Sequence, residues 1–378
     1  MIRLKLSRIL TLSMYLLLGG SFLQAQSFNT AYIDSVFTAY HQAHRFNGQV
    51  LVAHRGEVFF EKSYGYANFE EKTPFTQSTH FQIASLSKQF TSFGILYLQQ
   101  KGKLSIDDSL QKYFPELPYP GITLKHLMNH TSGLPNFVNS MIPDLDKSQV
   151  NGNAQMLKML ASGKYPSQAA PGERWEYCDI GYCLLALVIE EVSGKRFDKF
   201  MKKALFAPAG MKGTSAELGT DIRNIEKKQL AMGYTYEPGQ DQMIPAHLVP
   251  ANEFVYWLGG FYGDGSVVST ARDLLKWDQL LYSSKMFSKE TLDVAFTPTK
   301  LNDGTLAKAW GTDYGLGWML FDGKKYGIDS KIVEHAGGHP GIRSRLTRCI
   351  DKQLTIIILS NQDIENFHEL RVLQGVYN

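Results

Sequence analysis

A serine and a lysine at a spacing suited to nucleophilic chemistry occur at Ser85 and Lys88. The residues that follow are apolar at helical spacing, so a helix is predicted to begin near Ser85, with Lys88 on the same face. A serine hydroxyl needs a neighbour that takes its proton, and a helix N-terminus favours negative charge. The same spacing recurs at Ser109 and Lys112, in a polar stretch typical of a surface helix start. Because serine is also a common N-cap residue, the spacing alone does not identify a nucleophile.

Two further groups of residues are candidates for a catalytic role. Tyr177 and Asp179 precede an apolar run that predicts a buried helix; a tyrosine there is often structural, and its role depends on whether it meets Ser85. The run His335-Ala336-Gly337-Gly338 follows a strand-like segment. Small residues at a strand end admit a substrate backbone and expose an N–H group that stabilises an oxyanion. A glycine-rich turn between strands is the alternative.

A metal site is not favoured. His126 and His130 stand four residues apart in a segment, residues 122–135, that is predicted to be a helix with a Gly/Pro stop. No glutamate follows His126 as in the zinc-protease pattern, and no third ligand is evident. Packing and loop-anchoring hydrogen bonds are therefore predicted for both histidines, and no metal is expected here.

Strand patterns lie at both ends of the chain, with helical patterns between them. The predicted strands are 48–54 and 58–66, which form a hairpin, and 314–321, 331–336, 342–350 and 354–359; helices are predicted at 29–45 and 364–377. This order predicts an α+β fold, an α/β sandwich whose central antiparallel sheet of N- and C-terminal strands is flanked by helices. The sheet part is expected at about 26–80 and 265–378, and a mainly helical insert at about 81–264.

Residues 1–25 have the layout of a secretory signal peptide, with three basic residues, an apolar run and the small residue Ala25. The run is short for a membrane span of about 20 residues. Cleavage after Ala25, export to the periplasm or medium and no stable membrane anchor are therefore predicted, leaving a single domain over 26–378. The oligomeric state is not predicted.

Composition narrows the function classes further. Without residues 1–25 the chain carries 36 Lys+Arg and 36 Asp+Glu, and no basic run interleaved with aromatic residues occurs, so nucleic acid is not an expected partner. Hydrophobic residues make up 44% of the chain, as in a globular protein. The three cysteines cannot all pair internally, and Cys178 and Cys183 are poorly spaced for a bridge on one helix, so structural or free thiols are expected.

Taken in order, Ser85-x-x-Lys88, Tyr177-x-Asp179 and His335-Ala336-Gly337 resemble the Ser-x-x-Lys, Tyr-x-Asn and Lys/His-x-Gly motifs of the penicillin-recognising serine hydrolases. The spacing is similar to that of the class C β-lactamase, DD-carboxypeptidase and esterase branch. Further stretches resemble that family across most of the mature chain, at 64–68, 102–115, 127–135, 171–182, 269–274 and 314–318. The resemblance implies a β-lactamase/transpeptidase-like fold.

The resemblance also implies roles. Ser85 would form an acyl-enzyme, Lys88 and Tyr177 would share the proton transfer, and the N–H groups of Ser85 and Gly338 would form an oxyanion hole worth about 3 kcal/mol per donor. Water then releases the acyl group without a cofactor. The implied substrate is a small molecule or peptide carrying an amide or ester, such as a β-lactam, a small ester or a peptidoglycan-derived D-Ala peptide.

Two residues depart from the commonest family pattern. Asp179 replaces asparagine, and a carboxylate near Lys88 favours the ammonium form, which shifts the role of base toward Tyr177. His335 replaces the lysine of many β-lactamases, and a mostly neutral imidazole holds a substrate carboxylate less firmly, which favours a peptidase or esterase. Arg343 or Arg345 would be the alternative source of positive charge.

The sequence also bears on two alternative functions. A Ser-His-Asp esterase is disfavoured because no Gly-x-Ser-x-Gly motif occurs. Asp179, by contrast, leaves open a catalytically silent cell-wall-binding or sensor protein on the same fold.

The aromatic-rich segment 213–262 is expected to border the cleft, although its rings could equally be packing residues. They are Tyr234, Tyr236, Phe254, Tyr256, Trp257, Phe261 and Tyr262.

Overall fold

The structure, a computed structural model, describes residues 28–218 and 230–363 together with Val372, Gly375 and Val376. The predicted signal peptide therefore lies outside the described residues, as does most of the helix predicted at 364–377. Within the described residues, every helix is too short or too polar to cross a bilayer.

Eight of the described strands form one antiparallel sheet, in the order β10-β11-β12-β13-β14-β15-β1-β2. The strands are β1 (Gly48–His54), β2 (Glu57–Tyr64), β3 (Tyr66–Asn68), β4 (Thr73–Pro74), β5 (Phe81–Gln82), β6 (Ser215–Ala216), β7 (Tyr234–Glu237), β8 (Gln242–Pro245), β9 (Val267–Ser269), β10 (Lys308–Ala309), β11 (Thr312–Tyr314), β12 (Met319–Asp322), β13 (Lys331–His339), β14 (Ile342–Cys349) and β15 (Leu354–Ser360). The predicted fold class, with its large antiparallel sheet and flanking helices, is confirmed.

The α-helices of the described residues are α1 (Thr30–Gln42), α2 (Lys88–Gln100), α3 (Leu124–Met128), α4 (Asn153–Ala161), α5 (Asp179–Ser193), α6 (Phe197–Met201), α7 (Phe254–Trp257), α8 (Ala271–Leu280) and α9 (Lys289–Ala295). A 3₁₀ turn at Ala84–Ser87 leads directly into α2. Most of these helices come from the middle of the chain, between the two groups of strands that form the sheet.

The two ends of the chain meet in the centre of the sheet. Strand β1 pairs with β15 along its whole length, from Gly48 opposite Ser360 to His54 opposite Leu354, and with β2 on its other side. Side chains alternate between the faces of a strand. One face, which includes Leu51 and Ile357, packs in the core that α2, α5 and α8 share; the other packs in a second core with α1. Both faces are covered, which explains the continuous apolar run over residues 356–359 of β15.

The helix predicted over residues 122–135 is wrong in its second half, because α3 ends at Met128. His130 adopts a left-handed conformation with φ +60°, and Gly133 follows with φ +66°. A Cβ at Gly133 would lie 2.1 Å from the carbonyl oxygen of Ala169, so this glycine allows a close approach of two backbones. The strand predicted over 314–321 is likewise two strands, β11 and β12, joined by a turn.

A buried ion pair fastens α8 to the sheet. Arg348 of β14 donates to the carboxylate of Asp278 in α8, and the hydroxyl of Thr355 donates to the same carboxylate at 2.6 Å. The side chains of Arg348 and Asp278 are 1% and 0% exposed. Removing one partner of a buried pair leaves an uncompensated charge, which typically costs about 3–5 kcal/mol.

Asp278→Ala is therefore expected to lower the free energy of unfolding by about 3 kcal/mol, measured by urea denaturation. The control is Asp293→Ala, which removes an exposed ion pair between Lys289, 79% exposed, and Asp293, 60% exposed. This variant should leave the unfolding midpoint unchanged. Equal midpoints for the two variants would contradict a structural role for the buried pair.

Candidate active site

Ser85 lies in the 3₁₀ turn at the start of α2, partly exposed at the floor of a cleft. The residue before it, Ala84, has φ +45°, an uncommon conformation for a residue other than glycine, and it turns the chain sharply. Lys88 is the first residue of α2, and its Nζ donates to Ser85 Oγ at 3.1 Å. The predicted contact between the hydroxyl and the amine is present.

Lys88 is completely buried, and its amine has three acceptors. Besides Ser85 Oγ, Nζ donates to Asp179 Oδ1 at 2.7 Å and to the carbonyl oxygen of Asp264 at 2.9 Å. Three acceptors match the three protons of an ammonium group. Burial lowers the pKa of Lys88, but the negative charges of Asp179, Tyr177 and Asp264 outweigh it and hold this pKa well above its usual value. The amine is therefore an ammonium at neutral pH.

Tyr177 lies just before α5 and reaches both partners. Lys88 Nζ is 4.9 Å from the centre of its ring. Burial holds the pKa of Tyr177 above its usual value; the charge of Lys88 and hydrogen bonds to Lys88 and Ser85 offset this only in part, and the charge of Asp179 adds to it. The phenol is thus placed to exchange a proton with Ser85, and the adjacent ammonium stabilises its ionised form.

The imidazole of His130 packs against the ring of Tyr177, a contact that the sequence did not suggest. The two ring centres are 4.4 Å apart, and His130 Nδ1 accepts a hydrogen bond from the backbone N–H of Cys178 at 3.1 Å. Burial, followed by the charge of Lys88, holds the pKa of His130 well below its usual value, so the ring is neutral. His126 instead bonds through Nδ1 to Thr123 at the start of α3. The loop-anchoring bonds predicted for both histidines are confirmed.

The residues His335 to Gly338 are inside β13, not in a turn, which falls at Pro340-Gly341. Strand β12 pairs with β13 only as far as Glu334, so β13 has an open edge beyond that residue. A Cβ at Gly337 would lie 2.1 Å from the carbonyl oxygen of Ile83 and 2.8 Å from the nitrogen of Leu86. The strand therefore packs directly on the turn that carries Ser85.

His335 is a neutral residue here. Its side chain is buried, with Nε2 3.2 Å from the hydroxyl of Tyr314 and Nδ1 2.6 Å from the carbonyl oxygen of Ala336. Burial, with a smaller effect of Lys88, lowers the pKa of His335 to about 3. The two nearby guanidinium groups are each ion-paired, Arg343 with Asp363 at 2.8 Å and Arg345 with Glu334 at 2.7 Å.

Asp264 is a further residue of the site that the sequence did not reveal. Its carbonyl oxygen accepts from Lys88, and its loop is fixed on α2 because Thr91 donates to the carbonyl oxygen of Gly263 at 2.6 Å. Burial raises the pKa of the Asp264 carboxyl group, and the charge of Lys88 partly offsets this.

The second Ser-x-x-Lys pair, Ser109 and Lys112, is structural. Ser109 caps a 3₁₀ turn, and Lys112 forms an ion pair with Asp108 at 2.8 Å.

The cleft has two compartments that meet at Ser85 and Gly338. One, of about 730 Å³, is mainly apolar and includes three of the seven predicted aromatic residues; its rings and aliphatic side chains include Phe137, Val138, Ile142, Phe254, Val255, Trp257, Leu258, Phe261, Val267 and Val268. The other, of about 480 Å³, is more polar and is lined by Tyr177, Trp310, Met319, His335, Arg343, Ser344 and Arg345 among others. All three cysteines, which lie within the described part of the chain, are free thiols, as expected.

The chain is similar to known proteins over most of its length. The family model described as Beta-lactamase matches residues 33–374. A penicillin-binding protein of Bacillus subtilis (strain 168) is 35% identical over 91% of this chain and 74% of its own length. A D-aminopeptidase of Brucella anthropi is 27% identical over 83% of this chain, which spans 56% of that protein. The octameric penicillin-binding protein homologue from Pyrococcus abyssi superimposes with a TM-score of 0.72 at 25% identity, over 88% of this chain and 73% of that one.

Gly337 and Gly338 provide a matched test of the contact between β13 and the serine turn. Gly337→Ala places a Cβ against the backbone at 2.1 Å, so the strand or the turn must move. A displacement near 1 Å typically costs about 100-fold in rate, and we expect a loss of that order in ester hydrolysis. Gly338→Ala meets only the flexible side chain of Arg343 at 3.1 Å and should lose much less. Equal losses would show that the close contact is unimportant.

Asp179→Asn tests the charge balance around Lys88. The carboxylate raises the pKa values of both Lys88 and Tyr177, so its removal lowers both. Whichever group must lose a proton, the rising limb of the pH profile for acylation of Ser85 should move to lower pH. The measurement is the rate of labelling by a fluorophosphonate between pH 5 and 10.

The control for this experiment is Asp108→Asn, which removes the carboxylate beside the second Ser-x-x-Lys pair and should leave the profile unchanged. An inert Asp179→Asn protein that remains folded would show instead that the carboxylate is indispensable for positioning Lys88.

Proposed function

This chain belongs to the beta-lactamase family of penicillin-recognising serine hydrolases, and from that premise we propose that it cleaves an amide or ester through an acyl-enzyme on Ser85. The observation that carries this proposal is the hydrogen bond of 3.1 Å between Lys88 Nζ and Ser85 Oγ, within reach of Tyr177. A hydroxyl with an ammonium and a phenol at its side has both electrostatic stabilisation and a route for its proton.

The proposed reaction has two halves. As Ser85 Oγ bonds to the carbonyl carbon, its proton passes to the phenolate form of Tyr177, which then protonates the leaving alcohol or amine as the old bond breaks. Water next attacks the acyl-enzyme and gives a proton to the same phenolate, which passes it to Ser85 Oγ as the ester bond breaks and the carboxylic acid is released. Lys88 stays an ammonium throughout and stabilises the phenolate and the developing alkoxide.

The oxyanion formed in each half is assigned to the backbone N–H groups of Ser85 and Gly338. Support comes from the packing of β13 on the serine turn, which brings these two residues to the shared wall of both compartments. Each preorganised donor of this kind is worth about 3 kcal/mol of transition-state stabilisation. The supporting residues Asp179, His335, Ala336 and Gly337 hold Lys88 and this strand edge in place.

The proposed substrates are small esters, amides of D-amino acids or short peptidoglycan-derived peptides, with β-lactams as acylating agents. The neutral His335 and the ion-paired arginines argue against a site devoted to a substrate carboxylate. One relative is named as a D-aminopeptidase, which supports a small amide substrate. The signal-peptide pattern of residues 1–25 supports a place outside the cytoplasm, in the periplasm or the medium.

A silent sensor is the second candidate function, favoured by the firm pairing of Lys88 with Asp179. Labelling separates the two. A fluorophosphonate and a fluorescent penicillin should both label the wild type, and Ser85→Ala should abolish labelling. The matched control is Ser109→Ala, which alters the other Ser-x-x-Lys serine and should label as the wild type does.

Persistence of labelling in Ser85→Ala would overturn the assignment of the nucleophile, and an unlabelled wild type would favour the sensor. For a labelled protein, a panel of p-nitrophenyl esters, nitrocefin and D-Ala-D-Ala peptides identifies the substrate class by comparing kcat/KM.

A further inference from the structure

Trp310 is the most exposed large apolar side chain in the part of the chain that the structure describes, with 71% of its surface accessible. It stands at the rim of the polar compartment, which Ser85 and Tyr177 also line. Its ring centre is 5.1 Å from that of Trp175 and 5.4 Å from that of Tyr177. An indole that leaves most of its surface in water beside a candidate nucleophile does not serve to fill a core.

The local backbone does not explain a tryptophan at this position either. Strands β10 and β11 pair through Ala309 opposite Thr312, so Trp310 and Gly311 are the two central residues of a hairpin turn. Both have positive φ, +49° and +88°. Turns with two such residues favour Asn-Gly, because asparagine and glycine tolerate the left-handed region best. A bulky aromatic residue is unfavourable there, and strained conformations of this kind cluster at functional sites.

The proposed function, on which this inference rests, determines which end of the substrate contacts Trp310. Tyr177 returns the serine proton to the leaving group, so the leaving group must lie in a compartment that Tyr177 lines. Among the described residues, Tyr177 lines the polar compartment with Trp310 and does not line the apolar one. The acyl group then occupies the apolar compartment, on the opposite side of Ser85.

The charges around Trp310 indicate an uncharged leaving group. The two guanidinium groups of this compartment are engaged with Asp363 and Glu334, and His335 is neutral. The hydroxyl of Ser344 donates to the carbonyl oxygen of Ile83 at 2.6 Å. The charged side chains and the serine hydroxyl of this compartment are thus already paired, whereas Trp310 extends an aromatic cluster that includes Tyr177 and Trp175.

We propose that Trp310 forms the stacking surface of a leaving-group subsite that selects an uncharged leaving group carrying an aromatic ring. Aromatic rings stack offset or edge to face at 4.5–7 Å between centres, and a ring placed over the exposed indole extends the existing cluster. The reaction is the one described above: the bond from the acyl carbon to the oxygen or nitrogen of the leaving group breaks, and that atom receives the serine proton.

The test compares two acetate esters that share the acyl group and have leaving groups of similar acidity, phenyl acetate with a ring and hexafluoroisopropyl acetate without one. Wild type should favour phenyl acetate in kcat/KM, and Trp310→Ala should reduce that preference by about three- to tenfold. Trp310→Phe should retain most of it. Val294→Ala, which alters another exposed apolar residue, 39% accessible and on α9, should leave the preference unchanged.

The hexafluoroisopropyl ester also separates the two proposals. If Trp310→Ala hydrolyses it and labels with fluorophosphonate as the wild type does, the loss is specific to the ring. Equal loss on both esters, or an unchanged preference, overturns the stacking subsite while the acyl-enzyme mechanism stands.

A binding measurement tests the subsite without turnover. In Ser85→Ala, phenol should give saturation-transfer NMR signals that disappear in Ser85→Ala/Trp310→Ala. Signals from a methyl glycoside of N-acetylglucosamine in place of phenol would overturn the aromatic class in favour of a sugar. An inactive wild type that still binds phenol through Trp310 would contradict the hydrolase and with it the leaving-group assignment, while supporting the stacking surface for an aromatic ring.

Discussion

The site depends on one interaction, the burial of a full positive charge on Lys88. An ammonium without partners in a protein interior is too costly to persist, so its three protons must find acceptors. They come from three distant parts of the chain: the hydroxyl of Ser85, the carboxylate of Asp179 and the carbonyl of Asp264. Satisfying the charge therefore brings together the start of α2, the start of α5 and the loop before β9. The constraint that stabilises the ammonium also assembles the groups that surround the serine.

That constraint has a chemical consequence. The carboxylate of Asp179 makes the buried ammonium tolerable, and by the same electrostatics it makes Lys88 a poor base. In the proposed mechanism the proton therefore goes to Tyr177, whose pKa burial holds above its usual value although the ammonium beside it acts in the opposite direction. Under that proposal Lys88 holds the positive charge and Tyr177 moves the proton.

Local patterns predicted the parts of the fold in which neighbours in sequence decide the structure. The hairpin of β1 and β2, the alternating strand β14 and the mostly apolar strand β15 follow from alternation and burial, and the meeting of Ser85 with Lys88 follows from helical spacing. Contacts between remote segments could not be predicted this way. His130 touches Tyr177 only because the chain leaves the helical conformation after α3, and Asp264 contributes a carbonyl, which any residue type possesses. No side-chain pattern signals either contact.

The open edge of β13 shows how sheet construction and site construction are linked. An unpaired strand edge is ordinarily a liability, because its free N–H and C=O groups attract other strands. Here β12 stops at the level of Glu334, and beyond that residue one face of β13 packs on the turn of Ser85. Glycine at position 337 lets the strand approach that turn closely, and the shortness of β12 leaves room for a substrate along the remaining edge. In the proposed mechanism, the groups that would drive aggregation in an exposed sheet serve, inside the cleft, as donors and acceptors for a substrate backbone and for the oxyanion. A longer β12 would stabilise the sheet and close the site.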